Sequence, residues 1–310
     1  MKKIQTSEPL VSIIMPVYNV EEYIEEALDS LVNQKYKYFQ LIAVNDGSTD
    51  ESFEILKKYE KDKIFANFII ISQENHGLSE ARNSGVKLAK GKYVYFMDSD
   101  DCISPETIEK CVEFAEKADL DIVHFGAELF ATFGDHDDSA YYETHLTHAK
   151  VYTKYEFIKD SMEHLRVPVW LYFYKSELLK QSNQFYPYIV HEDELFTPQI
   201  LIKSRKIGVL NDKFFKRRLR PNSIVTNKSA ESLKRKENSY CTILNELAKL
   251  RINQHKDIVD FINSREIRIA NDLISIAGYK KYMLLTMKKV IPLAILPLKI
   301  RDKIQNLKKR

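Results

Sequence analysis

Tyr93-Val94-Tyr95-Phe96-Met97-Asp98-Ser99-Asp100-Asp101 is the stretch on which the reading of this chain turns. Five apolar residues run straight into three carboxylates within four positions. The apolar run does not alternate with polar residues, so it suits a strand buried on both faces. Carboxylates clustered at the end of such a strand repel one another, which is costly without a cation. Hard oxygen ligands suit Mg²⁺ or Mn²⁺, which take one or two carboxylates and complete their shell with phosphate oxygens or water. A calcium loop of the helix-loop-helix kind needs glycine at its sixth position, and counting from Asp98 that position is Ile103. A phosphatase of the haloacid type has D-x-T or D-x-V spacing, whereas Asp100 is followed by Asp101-Cys102. The remaining alternative is an acidic loop ahead of a helix that starts after Ser104.

Four similar runs lie around this one: Leu10–Met15, Phe39–Val44, Phe68–Ile71 and Ile122–Phe125. Helix-like segments follow. From Val20 onward, Tyr23, Ile24, Ala27, Leu28 and Leu31 fall on one face. Asn19 is expected to cap that helix, Ser48 with Glu51 to form a capping box on the second, and Ser104-Pro105 to open the fourth. Alternating strands and helices with short connections predict an α/β fold, a doubly wound, mostly parallel, Rossmann-like sheet. Ligands of such sheets bind beyond the carboxyl ends of the strands. Asn19, Asp46 and Asp98 each follow a strand and so should converge on one edge. The second half is less regular. Residues 130–150 read as a polar loop, Tyr155–Leu165 and His191–Ile202 as helices, and Ser229–Leu250 as the start of a C-terminal helical extension.

Each further motif admits a bland and a chemical reading. Asp46, with Gly47 beyond it, suits a strand-to-helix turn, and equally an acceptor for a uracil imide N–H or a ribose hydroxyl. In Pro16-Val17-Tyr18-Asn19, Tyr18 offers either a packed ring or a flat surface for a base. Asn75 opens a segment ending Ala81-Arg82-Asn83; Arg82 can hold a diphosphate or a base, or form a surface ion pair with Glu80 or Asp50. His191-Glu192-Asp193 makes a good helix start, with His191 exposed, or supplies a general base. Lys216-Arg217-Arg218-Leu219-Arg220 is a phosphate clamp or a solvated edge. No G-x-G-x-x-G follows the first strand and no Walker lysine motif is present, so dinucleotide and P-loop readings lack their fingerprint.

Taken in order, these blocks resemble the family 2 glycosyltransferases of the GT-A fold, of the bacterial surface-polysaccharide type. The blocks are Val11 to Asn19, Asn45 to Asp50, Gly77 to Asn83, Gly91 to Asp101, Glu192-Asp193 and Arg220-Pro221-Asn222-Ser223-Ile224, and they cover residues 9 to about 226. The resemblance implies an inverting transfer of a sugar from a UDP-sugar to a hydroxyl of a glycan or lipid-linked acceptor, with Mn²⁺ or Mg²⁺ as cofactor. It places Pro16, Tyr18 and Asp46 around the nucleoside and Asn75 and Arg82 on the nucleotide. Asp98 would lie towards ribose or metal, Asp100 on the metal, and Asp101 would support the loop. Asp193 would be the catalytic base, with Glu192 beside it and Arg220 near the leaving diphosphate. Arg217 and Arg218 compete with Arg220 for that last role. The implied division is a nucleotide-sugar-binding and catalytic domain over 1–226 and a helical extension over 227–310.

The chain has 310 residues, enough for one sizeable core and a smaller second unit. Its three cysteines form no C-x-x-C pair, which argues against a disulfide framework or structural zinc and for a reducing compartment. Met1–Leu10 has no apolar core of a signal peptide. Lys280–Arg310 carries ten Lys/Arg against Asp302, a surplus of nine; with a net charge of +3, the other 279 residues carry −6. The longest uncharged run there, Val290–Leu298, is far too short to span a bilayer. A segment lying on an anionic membrane is therefore expected, on the inner face of a cytoplasmic membrane, in preference to a packed helix with a solvated end. An acidic body with no reader module argues against nucleic acid. Two rival functions are a catalytically silent nucleotide-sugar-binding scaffold, disfavoured by the intact aspartates, and a nucleotidyltransferase, which lacks its Gly-rich phosphate loop.

Overall fold

All five apolar runs become strands of one sheet in the computed structural model, which describes residues 10–131, 150–180, 185, 187–220, 229–278, 281, 282 and 285. The strands are β1 (Val11–Val17), β2 (Phe39–Asn45), β3 (Phe68–Ser72), β4 (Tyr93–Phe96), β5 (Cys102–Ile103), β6 (Ile122–Ala131), β7 (Lys150–Thr153), β8 (Tyr172–Lys175) and β9 (Lys206–Arg218). Their order is β3-β2-β1-β4-β8-β6-β9-β5, with β7 also on β9. The pairs β3-β2, β2-β1 and β1-β4 are parallel. Antiparallel β8 sits between β4 and β6, so β6 again runs with β4, and β9 is parallel to β6. Every residue of β1 and β2 is buried, as continuous apolar runs in a two-sided sheet require.

The sheet recruits three strands from the half of the chain that reads as irregular. Tyr172–Lys175 is short, and Lys206–Arg218 mixes apolar and charged residues, because β9 is buried only in part. The basic stretch from Lys216 therefore begins as the end of a strand and not as a loop.

The helices are α1 (Ile24–Val32), α2 (Ser52–Lys61), α3 (Leu78–Leu88), α4 (Thr107–Ala118), α5 (Lys154–Ser161), α6 (Ser176–Lys180), α7 (Asp193–Lys203), α8 (Ala230–Leu250) and α9 (Lys256–Ala277). The chain lays β1, β2 and β3 side by side in one direction, then crosses back through α3 to place β4 on the other side of β1. That reversal makes the gap beyond β1 and β4 a topological switch point, where open α/β sheets bind ligands. Helix α3 rides closely on β1: a Cβ on Gly85 would lie 2.4 Å from Ile14 Cγ2.

Three expected caps are not formed. Helix α1 starts at Ile24 and α2 at Ser52, and neither N-cap residue, Tyr23 or Glu51, makes a side-chain cap bond. The cap-type side chains instead stitch the two strand-end loops together. Asn19 Oδ1 accepts from Thr49 N (2.9 Å), Ser52 Oγ from Val20 N (2.9 Å), and Asp50 Oδ2 from Glu21 N (3.0 Å). Ser104 likewise precedes a turn before Thr107, and its N–H donates to Phe214 O of β9. Helices α8 and α9 pack on each other, and their buried Ile243, Leu244, Phe261 and Ile269 join the same apolar core as the sheet. Among the described residues no helix is long and apolar enough to cross a membrane. The boundary at 226, the loop over 132–149, Pro221–Ile224 and the apolar run Val290–Leu298 lie outside the described residues.

Candidate active site

β2 delivers Asp46, almost fully buried, to the carboxyl edge of the sheet. Its Oδ1 accepts from Gln73 Nε2 (2.8 Å) and His76 N (3.0 Å), and its Oδ2 from Gly77 N (2.8 Å). Gly47 adopts φ +73°, and a Cβ there would lie 2.9 Å from Asn75 N, so the turn and the 73–77 segment are pressed together. A carboxylate has about four acceptor sites. Among the described residues three are filled, which leaves one on Oδ2. β1 ends beside it, and Tyr18 follows, 46% exposed.

β4 delivers the aspartates, whose ligand atoms lie within 4.8 Å of one another. Each is matched by an arginine. Asp98 Oδ1 accepts from Arg82 Nη2 at 2.8 Å, and Asp100 Oδ2 from Arg220 Nε at 2.6 Å. Asp101 is fully buried and both its oxygens are engaged, by Arg217 Nη1 (2.8 Å) and Arg218 N (2.7 Å). Burial, then the charges of Asp100 and Asp98, push its carboxyl well above the usual range, with Arg217 opposing. Asp101 is thus a loop anchor. Asp98 and Asp100 keep an oxygen each, and their hard donors fit Mn²⁺ or Mg²⁺ with phosphate oxygens completing the shell.

Arg82, in the second turn of α3, is 1% exposed and central to the site. On one side it pairs with Asp98. On the other it pairs with Glu192 and lies 3.5 Å from Asp193 Oδ1. Burial works against its charge, and the three carboxylates more than offset that and hold its pKa above the ordinary value. Asp193 opens α7. A fifth of its side chain meets solvent, and among the described residues Oδ1 has no hydrogen-bond partner. Burial first, then the charge of Glu192, raise its carboxyl well above the usual range. A carboxylate so raised is a stronger proton acceptor once ionised.

Residues 12–168 match the family described as "Glycosyl transferase family 2", half of the chain. The chain belongs to this family. Among family 2 relatives, it is 36% identical over 223 residues to the uncharacterised glycosyltransferase EpsJ of Bacillus subtilis, covering 70% of this chain and 63% of EpsJ. It is 33% identical to the poly(ribitol-phosphate) beta-glucosyltransferase of Bacillus spizizenii, over 65% of this chain and 31% of that enzyme. The chain thus spans less than two thirds of these curated relatives. The fold is that of the GT-A glycosyltransferases. It resembles S. aureus TarS 1-349 in complex with UDP-GlcNAc, with a TM-score of 0.67 at 24% identity over 89% of this chain and 83% of that one. It also resembles the mannosyltransferase PcManGT of Pyrobaculum calidifontis in complex with GDP-Man and Mn²⁺, with a TM-score of 0.60 at 14% identity over 98% and 81%.

In this family 2 chain, Pro16, Tyr18, Asp46, Asn75, Asp98, Asp100 and Arg220 all line one cavity of about 420 Å³. Arg82, Glu192 and Asp193 do not line it; Arg82 joins the acid pair to the cavity through Asp98. The three arginines that compete in the sequence divide the work. Arg217 holds Asp101, Arg220 holds Asp100, and Arg218 pairs with Glu26 and donates to Asp100 O (3.0 Å). His191 is not exposed as its place suggested. It takes φ +60°, its ring stacks on Tyr240 at 5.5 Å, and burial lowers its pKa. Sequence reasoning missed Arg235 of α8, which also lines the cavity. It stands in Lys234-Arg235-Lys236-Glu237, where nothing sets it apart from a solvated helix face.

Proposed function

We propose that this chain transfers a sugar from a UDP-sugar to a hydroxyl of a glycan or lipid-linked acceptor, inverting the anomeric centre, during assembly of a bacterial surface polysaccharide. The observation that carries this reading is the chain Asp98–Arg82–Asp193, which ties the cavity at the switch point to a carboxyl with a raised pKa. Residues 1–226 would form the nucleotide-sugar unit and 227–310 its helical extension.

Asp46 presents its last acceptor site to the N–H of the base, while Tyr18 lends an exposed ring to stacking and Pro16 and Asn75 shape the walls. Asp98 and Asp100 would hold Mn²⁺ or Mg²⁺, which when bound neutralises charge on the departing diphosphate. Arg220 adds a guanidinium at the same end. Asp193 takes the proton of the acceptor hydroxyl as that oxygen attacks the anomeric carbon and the bond to the diphosphate breaks. Glu192, bound to Arg82, keeps the acid pair in register with Asp98. The basic surplus from Lys280 to Arg310 supports contact with an anionic membrane, as a lipid-linked acceptor requires.

The test is release of UDP from a panel of UDP-sugars with Mn²⁺, with and without acceptor glycans. Wild type releases UDP from at least one donor. Asp193→Asn, which keeps the shape and removes the basicity, loses about 10³-fold in rate while still binding UDP. A wild-type protein inactive on every donor, metal and acceptor would sink the proposal.

A further inference from the structure

The cavity carries three guanidinium groups, and they are not equivalent. Arg217 and Arg220 are committed to Asp101 and Asp100 at 2.8 and 2.6 Å. Arg235 comes from α8, and among the described residues its guanidinium has no carboxylate or hydrogen-bonding partner. Its Nη2 lies 3.8 Å from the point a Cβ on Gly77 would occupy. Gly77 is the residue whose N–H holds Asp46 Oδ2, the oxygen with the remaining acceptor site. Arg235 therefore stands at the Asp46 end of the cavity, and its charge is left for a ligand.

We infer that Arg235 is a nucleobase-recognition residue that works as a pair with Asp46. The inference rests on the nucleotide-sugar reading of this cavity and goes beyond it in naming what selects the base. A guanidinium only donates hydrogen bonds and an ionised carboxylate only accepts them. Side by side, they match a base edge on which a ring N–H is flanked by a carbonyl oxygen. Uracil presents that pattern, with N3–H between two carbonyls. Cytosine presents the inverse at N3 and C4, a bare ring nitrogen beside an amino group, so Asp46 loses its donor at N3 and a guanidinium facing C4 loses its acceptor. Of the pair only Asp46 is buried, and a buried acceptor left without its donor is what makes such a site discriminate against an analogue that cannot answer.

The placement on α8 matters too. One turn beyond Arg235, Ser239 Oγ accepts from Val190 N (3.0 Å) in the segment that leads into Glu192 and Asp193, and Tyr240 stacks on His191. Helix α8 thus touches the Asp46 end of the cavity and the segment carrying the acid pair at once.

The experiment compares uridine, UDP and CDP binding to the full chain, wild type against Arg235→Ala and Arg235→Lys, using calorimetry for the diphosphates and NMR titration for uridine. Arg235 is exposed on its helix, and thermal unfolding checks that the variants are folded. In Arg235→Ala, uridine and UDP should weaken by the same factor, about ten-fold, and the preference for UDP over CDP should shrink by a similar factor. Arg235→Lys, which keeps one donor and loses the fork, should recover part of both. UDP weakening with uridine unchanged would put the guanidinium on phosphate and overturn the inference, as would variants that bind all three ligands like wild type. Failure of the wild type to bind UDP at all would instead bring down the underlying nucleotide-sugar reading.

Discussion

On one side of Arg82, Asp98 lines an open cavity; on the other, Glu192 and Asp193 sit at the start of α7 with little access to water. The cavity side is assembled from loops that follow β1, β2 and β4, and the backbone N–H groups of His76 and Gly77 hold its Asp46. The acid-pair side is assembled from the first turn of a helix. A helix N-terminus favours ionised carboxylates by about 0.3–1 kcal/mol. For Asp193 burial and the charge of Glu192 outweigh that, and its carboxyl is pushed up. Backbone donors fix an acceptor in place, whereas burial beside a like charge suits a group that must take up a proton.

Arg82 is the hinge of this comparison, and removing its charge should have the largest effect on stability. Arg82→Met leaves Asp98, Glu192 and Asp193 without their shared cation in a nearly dry setting. A loss of about 3–5 kcal/mol in urea unfolding is expected, because breaking a buried pair strands the partner charges. Arg82→Lys should recover part of it. Unfolding midpoints unchanged in the methionine variant would mean that the two sides do not depend on one another.

The neighbours Asp100 and Asp101 sharpen the comparison within the cavity loop. Asp100→Ala should weaken Mn²⁺-dependent UDP binding roughly 100-fold, with stability little changed, since it removes the proposed metal ligand from a loop that Asp101 still anchors. Asp101→Asn should do the reverse. It takes the anionic partner from Arg217 and lowers stability by about 2 kcal/mol, leaving the metal dependence in place. Titration of UDP with and without Mn²⁺, alongside urea melts, separates the two. Identical profiles for both variants would show that the buried aspartate is a ligand as well.

How much of this was legible in the sequence follows the same divide. Continuous apolar runs such as Val11–Val17 and Phe39–Asn45 name buried parallel strands, and the polar residues just after them name the site edge. The structure places Asp46, Asp98 and Asp100 on that edge, lining one cavity. Asp101 looks identical to Asp100 in sequence, and only the path of β9 past it, with Arg217 and Arg218, makes it an anchor. Asn19 and Ser48 looked like caps because caps and inter-loop ties use the same side chains. Strands β8 and β9 were hidden because partial burial of β9 blurs the apolar period and four residues in β8 are too few to establish one. Arg235 gave no signal at all, since its place over Gly77 depends on how α8 packs, more than 150 residues away along the chain.

The smallest effect tests the acid side directly, through pH. The Asp193 carboxyl titrates above its ordinary value of 3.8 in the folded chain, so the folded state holds that proton more tightly than the unfolded state does. Its contribution to stability is therefore fully present below the unfolded value and is lost as pH rises through the folded one. Transfer has the opposite sign, because the base acts only when ionised, and the rate should climb over the same window. The stability difference between wild type and Asp193→Asn isolates this group, since Asp101 and the other raised carboxyls are common to both. At neutral pH the asparagine variant should be the more stable of the two, and the gap should close on acidification with a slope of at most about 1.4 kcal/mol per pH unit. A gap that widens as pH falls would mean that Arg82 wins over burial, leaving Asp193 an ordinary ion-paired carboxylate and removing the reason to prefer it over Glu192 as the base.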